Sequence, residues 1–133
     1  MMSIEEDILR GNRVVAIVGL SANPDRPSYR VASYLKKNGY TIIPVNPGEK
    51  MILDETCYPS VGSIPCRVEV VDIFRNPEDV MPIVIEAIKI GANTIWMQEG
   101  VINEEAANKA REAGLKIVMN KCMLKEHQKL IKS

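Results

Sequence analysis

The chain of 133 residues has few of the side chains that bind metals or form disulfides. It contains three cysteines and a single histidine, and the cysteines at positions 57, 66 and 122 form no Cys-x-x-Cys pair. With so few sulfur and imidazole ligands, a zinc site would be hard to assemble. An odd number of cysteines is typical of free thiols in a cytoplasmic protein. We therefore expect no metal site.

An excess of charge and a long hydrophobic run are also missing. Lysine plus arginine and aspartate plus glutamate number 17 each, whereas nucleic-acid binders usually carry a basic excess. No apolar run approaches the roughly 20 residues of a membrane span. The first ten residues include Glu5, Glu6 and Asp7 and lack the apolar core of a signal peptide. The sequence predicts a cytoplasmic protein that binds neither nucleic acid nor membrane.

The most informative segment that is present runs from Arg13 to Arg30. An apolar strand, Val14 to Val18, leads into Gly19, and Pro27 with Ser28 opens a helix. In α/β proteins a strand that ends in glycine before a helix N-terminus commonly holds phosphate, because free N–H groups and the helix dipole favour an anion. The loop also carries Arg26 and Arg30. We therefore expect a phosphorylated nucleotide here. The alternative, a loop that only turns the chain, gives no reason for clustered arginines.

Two features of a dinucleotide site are absent. The loop reads Gly-Leu-Ser-Ala-Asn-Pro from position 19, so it has only the first glycine of the Gly-x-Gly-x-x-Gly pattern. The second strand ends in Pro-Val-Asn-Pro at positions 44 to 47, without the carboxylate that binds the ribose of NAD. A generic mononucleotide fold is favoured over an NAD site.

The rest of the chain alternates apolar runs with helical patterns. The predicted strands are Val14 to Val18, Tyr40 to Val45, Val68 to Ile73, Thr94 to Met97 and Leu115 to Met119. The predicted helices are about Ser28 to Asn38, Ile83 to Ile90 after a start at Asn76 and Pro77 disturbed by Pro82, Glu104 to Ala113, and Cys122 to Ile131. A loop-rich crossover covers Asn46 to Arg67, with a short turn near Ser60 to Ser63.

This alternation predicts an α/β fold: one Rossmann-like domain over residues 1–133 with a helical extension at 1–12. Buried strands linked by helices imply a doubly wound parallel sheet of about five strands, with helices on both faces. In such sheets ligands lie beyond the carboxyl ends of the strands, where the strand order reverses. Polar and glycine residues follow every predicted strand, and we expect them to converge there.

Five short segments, in this order and spacing, resemble those of the small stand-alone CoA-binding proteins. They are Val-Gly-Leu-Ser from 18, Arg-Pro-Ser from 26, Val-Asn-Pro from 45, Asp-Ile-Phe-Arg from 72 and Trp-Met-Gln-Glu-Gly from 96. The fold of that family is similar to the CoA-binding domain of the succinyl-CoA synthetase α subunit. The resemblance covers roughly Arg13 to His127 and implies coenzyme A as the ligand.

The resemblance also implies a set of binding residues. Those for the phosphates of the 3′-phospho-ADP part are Gly19, Ser21, Arg26 and Ser28, with Leu20 in the same loop. Those beside the adenosine are Asn46 and Pro47, with Lys50 one position later than the lysine of the synthetase. Those along the pantetheine arm and its pocket are Ile73, Arg75, Gln98 and Gly100.

No catalytic residue is predicted. The synthetase uses a phosphorylated histidine in a second domain, and here His127 falls on the last predicted helix among lysines, so we expect a solvent-facing or lightly packed side chain. Asp72 is expected to hydrogen-bond backbone at the end of its strand. Cys122 follows the last strand, and a helix N-terminus there would lower its thiol pKa. It could then form a mixed disulfide with bound CoA, the alternative being a buried inert thiol.

The preferred interpretation is a protein that binds CoA or a short acyl-CoA without catalysis of its own. Two alternatives stay open. One is an NAD(P)-binding oxidoreductase-like domain, which the missing glycines and carboxylate disfavour. The other is a CoA-binding subunit that lends its site to an acyl-CoA ligase encoded on another chain. Possible protein partners are therefore a second copy of the chain or a ligase.

Overall fold

The computed structural model describes residues 1–132, which form a five-stranded parallel sheet, a small hairpin and five α-helices. The strands are β1 (Val14–Val18), β2 (Thr41–Val45), β3 (Met51–Ile52), β4 (Glu55–Thr56), β5 (Val70–Ile73), β6 (Thr94–Met97) and β7 (Lys116–Val118). The helices are α1 (Ile4–Gly11), α2 (Pro27–Lys37), α3 (Val80–Lys89), α4 (Glu104–Glu112) and α5 (Met123–Leu130).

The sheet is doubly wound, as predicted. Its strand order is β2-β1-β5-β6-β7, with every neighbouring pair parallel. The chain first moves outward from β1 to β2, then crosses back to β5 and continues in the opposite direction. The strand order therefore reverses between β1 and β5, where Val18 pairs with Val45 on one side and with Ile73 on the other.

Both faces of the sheet are covered, which is why its strands are apolar at nearly every position. On one face Ala16 and Val18 pack with buried residues of α3 and α4. On the other, Val15 and Ile17 pack with α1, α2 and α5. Within residues 1–132, no helix combines the length and apolar character needed to cross a membrane.

The prediction for α3 is wrong at its start. Pro77–Asp79 form a 3₁₀ turn, and α3 begins at Val80 rather than at Ile83. Pro82 does not disturb it, because a proline in the first turn removes an N–H that has no partner within the helix. Asn76 is the N-cap of the turn by backbone position, but its side chain makes no capping hydrogen bond.

Further differences concern strands: β2 begins at Thr41 instead of Tyr40, and β7 covers Lys116–Val118 instead of Leu115 to Met119. β5 begins at Val70 instead of Val68. The crossover contains the antiparallel hairpin β3–β4, which was not predicted. Its two-residue turn, Leu53 and Asp54, has φ angles of +55° and +62°. Such short strands carry no periodic pattern, so only the turn residues could have indicated them.

Candidate functional site

A cleft of about 310 Å³ opens at the carboxyl ends of the strands, where the strand order reverses. Its walls come from the ends of β1, β5 and β6 and from the first turn of α2. The lining residues are Gly19, Ser21, Arg26, Pro27, Ser28, Phe74, Arg75, Asn76, Gln98, Glu99 and Val101. This is the position at which doubly wound sheets bind ligands.

The β1–α2 loop is fixed by a chain of side-chain-to-backbone hydrogen bonds. The Ser21 N–H donates to Ser28 Oγ at 3.0 Å, and the Asn23 N–H donates to Ser21 Oγ at 3.0 Å. The Asp25 N–H donates to Asn23 Oδ1 at 2.9 Å. Small polar residues suit this loop because their side chains satisfy its backbone. The loop thereby carries Ser21 and Ser28 to the cleft wall in a set geometry.

Positive charge on this wall comes from two arginines and a helix terminus. Arg26 occupies the N-cap position of α2, and its guanidinium makes no hydrogen bond or ion pair within residues 1–132. Arg75 pairs with Asp79 at 3.2 Å. Arg30, the other arginine predicted to face the ligand, instead donates to the Asp25 carbonyl at 2.6 Å and does not line the cleft. The N–H groups at the start of α2 add partial positive charge. This wall is suited to an anion.

The cleft ends in a buried polar pair. Gln98 is 3% exposed, and its Nε2 donates to Asp72 Oδ1 at 2.7 Å. Asp72 is fully buried, and its Oδ2 has no hydrogen-bond partner among residues 1–132. Burial raises the pKa of Asp72 to about 8, against the lowering effect of the Gln98 hydrogen bond. The expectation that Asp72 bonds backbone is therefore wrong, because the carboxyl faces the core and meets a side chain.

The structure brings half of the predicted binding residues together at the cleft: Gly19, Ser21, Arg26, Ser28, Arg75 and Gln98. Two others, Leu20 and Ile73, lie beneath it with side chains that are fully buried in the core. Their side chains cannot line a ligand path in this conformation. Both contribute backbone acceptors: the Leu20 carbonyl accepts from Asn46 Nδ2 at 2.9 Å, and the Ile73 carbonyl accepts from the Gln98 N–H at 3.3 Å.

The remaining predicted residues surround the cleft. Pro47 lines a second cavity of about 110 Å³ at the ends of β1 and β2, and this cavity shares Arg75 with the cleft. Asn46 fixes the end of β2 by accepting a hydrogen bond from the Gly48 N–H at 2.8 Å. The Lys50 side chain is exposed and lines neither cavity. Gly100 stands in the chain between Glu99 and Val101, which both line the cleft. Its N–H donates to Asn120 Oδ1 at 2.8 Å.

Five cleft residues were not among the predicted binding residues: Pro27, Phe74, Asn76, Glu99 and Val101. Phe74 and Glu99 follow the ends of β5 and β6 closely, so the strand-end rule does select them, although the resemblance does not name them as binding residues. The Glu99 carboxylate is held by Lys125 Nζ at 3.1 Å. No motif in the sequence distinguishes Val101, which reaches the cleft because the turn after β6 folds back.

His127 contradicts the prediction of a solvent-facing or lightly packed residue. It is 3% exposed, and its Nδ1 lies 2.7 Å from Tyr34 Oη. The Tyr40 ring meets it edge-on, with 5.7 Å between ring centroids. Burial lowers the pKa of His127, with smaller effects from Lys132 and Arg13. Since Tyr40 directly precedes β2, this histidine lies at the amino ends of the strands and not at the cleft.

Cys122 also differs from its predicted state. It is the N-cap of α5, but burial raises the pKa of its thiol more than the backbone N–H groups of Lys125 and Leu124 lower it. It does not line the cleft. The raised thiol pKa and the position outside the cleft favour the inert-thiol alternative.

Among residues 1–132, no three His, Cys, Asp or Glu side chains are grouped to hold a metal ion.

A thiol-exchange experiment tests that alternative. We expect CoA disulfide at neutral pH to modify Cys66, which is exposed, and to leave Cys122 unmodified, because attack requires an accessible thiolate. Peptide mass spectrometry with and without reductant reports the site, and Cys66→Ser is the control that removes the expected adduct. A reducible CoA adduct on Cys122 would restore the mixed-disulfide hypothesis.

The chain is similar to a known protein family and to several known proteins. The sequence profile of the CoA binding domain family matches residues 13–128. The uncharacterized protein YneT of Bacillus subtilis is 34% identical over 122 residues, which cover 92% of this chain and 90% of YneT. A hypothetical protein from Pyrococcus horikoshii OT3 with a solved structure is 45% identical, with a TM-score of 0.93 over 97% of this chain and 93% of that one.

A longer relative is an enzyme. Acetate–CoA ligase II (ADP-forming) of Archaeoglobus fulgidus is 37% identical over 70 residues, which are 51% of this chain but only 10% of the ligase. The match with the family profile extends over most of the chain and includes every residue that lines the cleft. The chain therefore belongs to the CoA-binding domain family, which also includes the CoA-binding part of ADP-forming acetate–CoA ligases.

Proposed function

We propose that the cleft binds coenzyme A or a short acyl-CoA, and that the chain has no catalytic activity of its own. The observation that carries this proposal is the joining of two unlike halves in one cleft. Arg26 and Ser28 stand at the N-terminus of α2, with Ser21 in the loop before it. Gln98 and Val101 follow the end of β6. CoA has the matching division into a highly anionic nucleotide and a neutral arm.

The basic half suits the phosphates. CoA carries about four negative charges near neutral pH, and arginines at a helix N-terminus provide charge-assisted hydrogen bonds to them. Arg26 is available for this, since no carboxylate of residues 1–132 pairs with it. We assign the adenosine to the second cavity, which lies beside Pro47 and shares Arg75 with the cleft.

The ionisable groups near the cleft are poorly arranged for catalysis. Glu99 is paired with Lys125, Asp72 is sealed in the core, and His127 lies at the opposite edge of the sheet. A general acid or base needs to reach the reacting atoms. We therefore expect that the purified chain, incubated with ATP, acetate and CoA, forms no acetyl-CoA detectable by chromatography. Sustained formation of the thioester would contradict the catalysis-free part of the proposal.

Titration calorimetry tests the binding itself. We expect heat and thermal stabilisation with CoA and much less with NAD or NADP, because the loop lacks the glycines and the strand lacks the carboxylate of a dinucleotide site. Binding of NAD with no response to millimolar CoA would overturn the proposal.

Substitution of Arg26 locates the phosphates. We expect Arg26→Ala to weaken CoA binding about ten- to a hundredfold, the effect of one charge-assisted contact of about 1.5–3 kcal/mol. Arg30→Ala is the matched control, because Arg30 belongs to the same segment but bonds the Asp25 carbonyl outside the cleft. A larger loss for CoA than for dephospho-CoA would assign Arg26 to the 3′-phosphate, and equal losses to the pyrophosphate. No loss with either ligand would remove Arg26 from the site.

A second candidate function is that of a CoA-binding subunit for a ligase chain. It is favoured by the match to a tenth of a longer acetate–CoA ligase. In that case the isolated chain would bind CoA, and acyl-CoA formation would require the added partner. A CoA-dependent increase in the activity of such a partner is the result that would separate this function from simple CoA binding.

A further inference from the structure

The pair formed by Asp72 and Gln98 has a feature that folding alone does not explain. Asp72 stands in the central strand β5, whose other residues are Val70, Val71 and Ile73. It is fully buried, yet within the described part of the chain only one of its carboxyl oxygens has a hydrogen-bond partner. A buried polar atom without a hydrogen bond is destabilising. Such a cost is typical of positions that serve a binding site.

The Asp72 carboxyl group holds the side-chain amide of Gln98. Gln98 directly follows β6, and its backbone is fixed on both sides: its N–H donates to the Ile73 carbonyl at 3.3 Å, and its carbonyl accepts from the Val101 N–H at 2.9 Å. With the backbone fixed, the remaining freedom is in the side chain. The 2.7 Å hydrogen bond from Nε2 to Asp72 Oδ1 restricts that freedom and commits the amide nitrogen to the core. The carbonyl oxygen, Oε1, is then the polar atom that this cleft-lining residue offers to a ligand.

We propose that Asp72 is a positioning residue that keeps Gln98 Oε1 directed to the cleft, where it accepts a hydrogen bond from an amide N–H of the pantetheine arm. The inference rests on the proposed binding of CoA. An acceptor such as Gln98 Oε1 binds a hydrogen-bond donor of the ligand and disfavours a phosphate. The phosphates have the basic wall around Arg26, so the part of the ligand near Gln98 is the neutral arm. CoA and acetyl-CoA share the donors of this arm, which are its amide N–H groups and one hydroxyl, and we assign the contact to an amide.

The experiment compares three ligands by titration calorimetry: CoA, acetyl-CoA and adenosine 3′,5′-bisphosphate, which lacks the arm. Asp72→Val removes the acceptor and keeps a strand-forming side chain of similar size. We expect this variant to weaken the binding of CoA and acetyl-CoA about three- to tenfold, which is the effect of one lost neutral hydrogen bond. The affinity for the bisphosphate should be unchanged. Gln98→Met removes Oε1 directly, should produce the same pattern, and keeps the test possible if Asp72→Val does not fold.

Two further variants separate positioning from a general effect on the fold. Asp72→Asn retains an oxygen that can accept from Gln98 Nε2, and we expect it to restore the preference for CoA over the bisphosphate. Thr94→Val is the matched control, because Thr94 Oγ1 is the other buried atom without a partner in the described chain and lies outside the cleft. We expect Thr94→Val to change none of the three affinities.

The outcomes are distinguishable. If the unmodified chain binds neither CoA nor the bisphosphate, the proposed function fails. If it binds both, but Asp72→Val and Gln98→Met leave the ratio of their affinities unchanged, the function stands and the positioning role is wrong. If Gln98→Met weakens the binding of CoA but not that of acetyl-CoA, Gln98 contacts the free thiol of CoA, and the assignment to an amide N–H is overturned.

Discussion

Gly19→Ala is expected to lower the melting temperature by about 10–20 °C, an effect of roughly 3–5 kcal/mol in a domain of this size. Gly19 ends β1 with φ at +83°, a conformation that costs an L-residue about 1–2 kcal/mol. In addition, an alanine Cβ at this position would overlap the Phe74 carbonyl oxygen and lie 3.0 Å from Arg75 Cδ. The overlapped atom belongs to backbone that immediately follows β5, so relief requires moving a wall of the cleft.

Gly91→Ala is the matched control for the backbone conformation. Gly91 has φ at +80°, and a Cβ there would meet no atom of residues 1–132 within 4 Å. We expect it to destabilise by about 1–2 kcal/mol, through backbone strain alone. Thermal unfolding of both variants, followed by circular dichroism, measures the difference. If the two melting temperatures fell equally, the close approach between the ends of β1 and β5 would not be what requires glycine at position 19.

The same glycine illustrates what the sequence could and could not establish. The pattern of a strand, a glycine and a helix located the cleft, because parallel strands bring their carboxyl ends to one edge. It did not show which contact requires the glycine. The missing Cβ faces the neighbouring strand end, and this contact joins residues 55 positions apart in the chain (19 and 74).

Strands were predictable where a buried apolar run is bounded on both sides by residues that interrupt it. β1 was predicted with both ends correct because a fully apolar run is bounded by Arg13 and Gly19. The Ser60–Ser63 turn was also confirmed, since its capping residues are local in sequence. The hairpin β3–β4 was missed because each strand is only two residues long.

Polar residues in the core were the least predictable. His127 is buried because Tyr34, on α2, supplies a partner for its ring nitrogen. Asp72 is buried beside Gln98, whose own place depends on the pairing of β5 with β6. In both cases the partner lies on another element, so the burial depends on tertiary packing and has no local signature. The sequence therefore predicted the cleft's position and its basic half, but not the buried pair at its other end.

Asp72→Asn is expected to stabilise the fold, and increasingly so as the pH rises. The buried carboxyl of Asp72 has a raised pKa of about 8, against 3.8 for an unperturbed aspartate. Between these values the folded chain keeps a proton that the unfolded chain releases, so the wild-type protein loses stability as the pH rises towards 8. An asparagine does not titrate. Its advantage over aspartate should therefore grow by about 2–4 kcal/mol between pH 5 and pH 8.5.

Glu69→Gln is expected to change the free energy of unfolding in the opposite direction to Asp72→Asn. The Arg13 N–H donates to Glu69 Oε1 at 2.7 Å, and chiefly this hydrogen bond lowers the pKa of Glu69. The stability it contributes is present above the ordinary pKa of 4.5 and is lost as the pH falls below it. Glu69→Gln should therefore destabilise by a constant amount from pH 6 to pH 8.5, while Asp72→Asn stabilises progressively. Urea unfolding across this range measures both variants. A pH-independent difference between Asp72→Asn and wild type would mean that the carboxyl is not held protonated in the core.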